Sequence, residues 1–86
     1  MPRYEFKLGG DEARKHWANI PEGSRQLVNQ RIEELLEDPI NIPHREYDPH
    51  LGTHTIPIGE DKGLIVYAVV ESARMVIFYR FTPGLD

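Results

Sequence analysis

Residues 64–81 constrain this chain more than any other stretch. They read LIVYAVV, then ESAR, then MVIFYRF. Two runs rich in β-branched and aromatic residues around a short polar segment spell a β-hairpin. Neither run alternates between apolar and polar residues, so both strands need cover on both faces, or nearly so. The hairpin is therefore expected at the centre of a sheet, and the rest of the chain has to supply what covers it. With 86 residues, 40% hydrophobic and 28% charged, residues 1–86 make a single globular domain with a small core.

The N-terminal half offers that cover. Tyr4, Phe6 and Leu8 alternate with Glu5 and Lys7, which predicts a half-buried strand closed by Gly9-Gly10. Asp11 suits a helix N-cap. Ala13, Trp17 and Ile20 share one helical face with His16 beside them, so a first helix spans about Asp11 to Asn19. Pro21 and Gly23 interrupt it, and a second helix starts at Pro21 or at a Ser24 cap. Its apolar stripe is Leu27, Val28, Ile32, Leu35 and Leu36, and Asp38-Pro39 ends it.

Residues 40–53 read as an irregular connection, long enough to be functional. His54 to Ile58 reads as a strand that Pro57 places at an edge or beside a bulge. Residues 59–63 form a turn into the hairpin, and residues 82–86 a short tail. The order predicts an α+β fold: the N-terminal strand and a two-helix hairpin, with both helices packed on one face of an antiparallel sheet. The other face is left partly open, as a concave surface for a partner.

Composition narrows the function. The formal net charge of -4 argues against a whole surface that binds nucleic acid and leaves room only for a local basic site. The absence of cysteine excludes disulfides and thiolate chemistry and fits a reducing compartment. The start, MPRYEFKLGG, has no apolar run of signal-peptide length, and no stretch approaches the ~18 apolar residues of a membrane span, so the expectation is a soluble, cytoplasmic protein that engages no membrane.

In this order and spacing the chain resembles the RelE/ParE toxin superfamily, small toxins of bacterial toxin–antitoxin pairs. The stretch IPEGSRQLVNQRIEELLEDP is similar to the family's second helix, and DEARKHW to its first. Leu51-Gly52 resembles the Leu-x-Gly before the meander, IGEDKGLIVYAVV the Gly-x-Tyr-Arg strand, and MVIFYRF the last core strand. The first helix also resembles the Lys-His-rich one of the BrnT-like toxins, a neighbouring family of the same fold. Gly63 stands where the family's strand carries arginine, with Lys62 adjacent, and the chain ends FTPGLD in place of a His-Tyr or Arg-Tyr pair.

The resemblance implies a RelE/ParE-like fold and a ribosome-dependent mRNA endoribonuclease, with no metal or other cofactor, neutralised by a cognate antitoxin protein. Two alternatives stay open: a ParE-like inhibitor of DNA gyrase, which is no enzyme, and a catalytically degenerate binding module. Cleavage by the RNA 2′-hydroxyl needs a proton acceptor, a cation for the charged phosphorane and a donor for the leaving oxygen. Arg80, inside an otherwise apolar strand, is the candidate cation; strand parity puts it opposite a helix-facing layer of Met75, Ile77, Tyr79 and Phe81. The alternative is an arginine that marks the strand's exposed end or pairs with a carboxylate. His50 and His54 are the acid–base candidates. Lys62, Arg45 and His44 are candidate phosphate contacts, and Tyr47 a ring for base stacking. Each of these also reads as an ordinary loop or turn residue. Pro49 and Gly52 oppose the helix that would join His50 and His54 on a metal, so none is assigned.

Overall fold

The computed structural model describes residues 3–59 and 63–83. In chain order these form β1 (Glu5–Leu8), α1 (Asp11–Ala18), α2 (Glu22–Glu37), β2 (Glu46–Asp48), β3 (Thr53–Pro57), β4 (Gly63–Val70) and β5 (Met75–Pro83). One sheet takes the order β1-β5-β4-β3-β2, so the β4–β5 hairpin holds its centre. A short 3-10 turn, Glu71–Ala73, and Arg74 in a left-handed conformation close that hairpin. Four strands form the antiparallel meander, and β1 adds to β5 in parallel. β1 is separated from β5 by both helices and the other three strands, the long connection that parallel neighbours require.

The helices begin and end for local reasons. Gly10, with φ 134, stands at the N-cap of α1 in place of the expected Asp11, which becomes the first helical residue. A side chain avoids that conformation and glycine does not. Asn19 is the C-cap, so α1 stops one residue earlier than expected. Pro21 precedes α2 as its N-cap, and Asp38 turns extended before Pro39 as the proline ring demands.

The core lies between α2 and one face of the sheet. Val28, Ile32, Leu35 and Leu36 meet Ile56, Ile65, Tyr67, Val76, Phe78 and Phe81, all buried. Leu27 packs at the margin. α1 flanks β5 where β1 stops. β1 pairs only with Met75–Phe78; the Phe81 amide then donates to Nδ1 of His16 at 3.3 Å. Trp17 seals that corner, its ring 5.3 Å from Phe6 and 5.4 Å from Phe81.

Two expectations need correction. Residues 40–53 are not wholly irregular, because Glu46–Asp48 pairs with Thr53–Thr55 as the outermost strand. Pro57 lies beyond the last residue that β2 reaches, so its missing N–H faces no strand there. The parity of β5 is also reversed over its first half. Val66 opposes Arg80 but Tyr67 opposes Phe78, so Tyr79 is the extra residue of a bulge. Val76 and Phe78 are therefore the helix-facing residues, joined by Phe81 only after the bulge. Ile77 and Tyr79 turn to the opposite face and close on Gly9, where a Cβ would come within 2.8 Å of Ile77 Cγ2.

Candidate functional site: the open sheet face

The face away from α2 is a cleft of about 570 Å³, within the usual size of a ligand site. Small residues keep its floor low: Val66 and Ala68 of β4, Thr53 and Thr55 of β3. Glu12 of α1, with Tyr79 and Arg80 of β5, forms one wall. Asp48 and Leu51, at the end of β2 and in the turn after it, form the other. The bulge at Tyr79 decides the chemistry, because without the extra residue Arg80 would share a face with Phe78 and Val76 and point into the core.

Arg80 reaches the cleft with its guanidinium exposed, and its Nη2 lies 3.4 Å from Oε1 of Glu12. That is long for a charged pair, which closes to about 2.7–2.9 Å when tight. Both partners are more than half exposed, and such pairs contribute at most about 1 kcal/mol. A phosphate can therefore compete for the fork. Glu12 also faces Nε2 of His16 at 3.8 Å. Among the described residues the cleft thus sets one cation, Arg80, against two carboxylates, Glu12 and Asp48.

The other site candidates lie elsewhere. His54 sits on the helix side of the sheet, buried with Ile56 and Ile58, and does not join Arg80. Its ring stacks on Tyr67 at 5.2 Å and meets Tyr47 at 4.8 Å. Nη1 of Arg45 lies 2.9 Å from its Nδ1. Arginine can only donate, so Nδ1 accepts and the imidazole is neutral. Burial, and then the charge of Arg45, push the His54 pKa below the usual histidine value. Arg45, Tyr47 and His54 thus form one cluster at the β2 edge, on the wrong face for the cleft. Beneath them the Tyr67 hydroxyl donates to the Pro39 carbonyl at 2.8 Å, and burial raises its pKa.

His50 is exposed in the β2–β3 turn, where its amide donates to Oδ1 of Asp48 at 2.9 Å, and it does not line the cleft. His44, exposed with φ 67, lies beside Pro57 and Arg31 near the far end of β3. Lys62 falls outside the described residues. Of the sequence candidates among the described residues, the cleft therefore holds Arg80 alone. The parity of His54 was readable, since it shares alternation with Ile56 and Ile58. Glu12 is 68 positions from Arg80, and nothing local in the sequence links them. Among the described residues no three histidine, aspartate or glutamate side chains converge to hold a metal ion. Among the described residues no helix is long and apolar enough to cross a membrane.

Two helices against a five-stranded mixed sheet is a fold shared with solved RelE chains. The isolated RelE toxin of E. coli superposes with a TM-score of 0.77 at 19% identity, covering 96% of this chain and 86% of that one. The toxin–antitoxin complex RelBE2 from Mycobacterium tuberculosis matches with a TM-score of 0.77 at 16% identity, over 100% of this chain and 97% of that one. An archaeal RelE–RelB complex from Pyrococcus horikoshii follows at 0.69 and 12% identity, over 96% of each chain. The chain has the RelE fold. No protein-family model matches it. No curated protein matches it either.

Proposed function

We propose that this protein is the toxin of a toxin–antitoxin pair and that it blocks translation by cleaving mRNA on the ribosome without a metal. The observation that carries the reading is Arg80, the cation that the β5 bulge turns into the open face of a RelE fold. An arginine fork holds a phosphate through two hydrogen bonds and keeps its charge at any physiological pH. In a cleft open to a single RNA strand, that fork stabilises the extra negative charge of the phosphorane when the neighbouring 2′-hydroxyl attacks. The protein would act in the cytoplasm, and a cognate antitoxin would keep it silent. Support for that partner comes from the solved RelE chains that are bound to RelB.

One observation favours a second reading. Among the described residues carboxylates outnumber cations in the cleft, which weakens a long RNA track and suits a ParE-like gyrase inhibitor or a binding module without catalysis. Induction from a silent promoter in a bacterial host separates them. The nuclease reading expects amino-acid incorporation to stop first, with plasmid supercoiling intact. Loss of supercoiling with translation running would establish the gyrase inhibitor, and unimpeded growth the inert module.

A further inference from the structure

We propose that Glu12 is the general base that takes the proton from the attacking 2′-hydroxyl. The proposal rests on the nuclease reading of the cleft and supplies the group which that reading lacks, since neither His50 nor His54 reaches Arg80. Among the described residues the cleft holds two carboxylates. Asp48 stands at the far wall, with Oδ1 already accepting from the amides of His50 at 2.9 Å and Leu51 at 3.4 Å. Glu12 is the one beside the cation, with Oε1 3.4 Å from Arg80 Nη2.

That adjacency fits the reaction. Before attack, the 2′-oxygen lies roughly 3–3.5 Å from the phosphorus. A guanidinium on the phosphate oxygens and a base on the 2′-hydroxyl must then be near neighbours, as Arg80 and Glu12 are. His16 supports the placement. Its Nδ1 accepts from the Phe81 amide, so Nε2 carries the ring N–H. Nε2 lies on the Glu12 side, 3.8 Å from Oε1, so the carboxylate stands between His16 and Arg80 at the lip of the cleft.

The step balances without a co-reactant beyond water. Glu12 accepts the 2′-proton as the 2′-oxygen bonds to phosphorus. The bond from phosphorus to the 5′-oxygen breaks, its electron pair leaves with that oxygen, and water protonates it. The products are a 2′,3′-cyclic phosphate and a 5′-hydroxyl, and Glu12 returns its proton to solvent.

The test is cleavage of mRNA on purified, programmed ribosomes by the full chain and its variants. Glu12→Gln is expected to slow cleavage by about 10²–10⁴, the usual contribution of a general base. Ribosome affinity and thermal midpoint should stay as in the wild type. Glu12→Asp should retain part of the rate. Added formate should partly restore Glu12→Ala and leave Arg80→Ala unrestored, a response that misfolding cannot mimic. Glu12→Gln cleaving at the wild-type rate or faster overturns the proposal and makes Glu12 a simple counter-ion of Arg80. Loss of ribosome affinity with no formate response makes it a binding residue and overturns the proposal too. A wild-type chain that leaves mRNA intact overturns the nuclease reading itself, and Glu12 as a base with it.

Discussion

Tyr67→Phe removes one oxygen from the most enclosed part of the fold. Tyr67 is fully buried, and its hydroxyl donates to the carbonyl of Pro39, itself buried, where α2 hands the chain to the connection before β2. The variant keeps the ring and leaves that carbonyl without its donor. A buried acceptor stripped of its partner costs about 1–3 kcal/mol, and relief from burying the hydroxyl returns part of it, so the expected loss is about 1–2 kcal/mol. For a domain of this size, whose whole stability is on the order of 4–13 kcal/mol, that is a substantial share. Urea unfolding followed through Trp17, the single tryptophan, reads it directly. At typical slopes the midpoint should fall by about 1 M with the slope unchanged, and the melting temperature by roughly 5–15 °C. Alkaline pH supplies an internal check. Burial raises the Tyr67 pKa, so the unfolded chain loses that proton first and stability falls as pH rises above about 10. The phenylalanine variant should lose that part of the alkaline decline. A midpoint shift below about 0.3 M would refute the claim that this hydrogen bond ties the connection to the sheet.

Ile32→Ala opens a cavity between α2 and the sheet at a residue only 6% exposed, and should cost about 2–5 kcal/mol in the same assay. The pKa of His54 is depressed in the fold, so the unfolded chain takes up the proton first. Its stabilising contribution is complete above the free value of about 6.5 and is lost as pH falls through the folded value. His54→Gln should flatten that acid limb, and an unchanged limb would mean that another group titrates.

The hairpin and the α2 stripe were legible because each is a long patterned run that burial alone can explain. β2 was not, since Glu46-Tyr47-Asp48 has no apolar alternation and becomes a strand only by pairing with β3. The bulge left no mark in MVIFYRF, yet it sets every orientation after Phe78. Arg80 was placed on the open face by assigning Met75 and Ile77 to the core. The core instead takes Val76 and Phe78, and the extra residue at Tyr79 returns Arg80 to the side expected. Two reversals cancelled. The histidines were attractive for their titration range, but chemistry alone does not reveal which face of a strand a ring occupies. Glu12 entered the site only through tertiary packing of α1 against β5.

The central claim is that the Arg80 cleft cuts translated mRNA, and mapping new 5′ ends in induced cells tests it most directly. Wild-type protein should produce discrete 5′-hydroxyl ends inside coding regions under translation. Arg80→Ala, with an unchanged thermal midpoint, should lower their yield by about 10²–10³, the usual loss when one preorganised donor is removed. Arg80→Lys should recover little, because it keeps the charge and loses the fork. Growth arrest without new ends, or equal cutting by wild type and Arg80→Ala, would contradict the account.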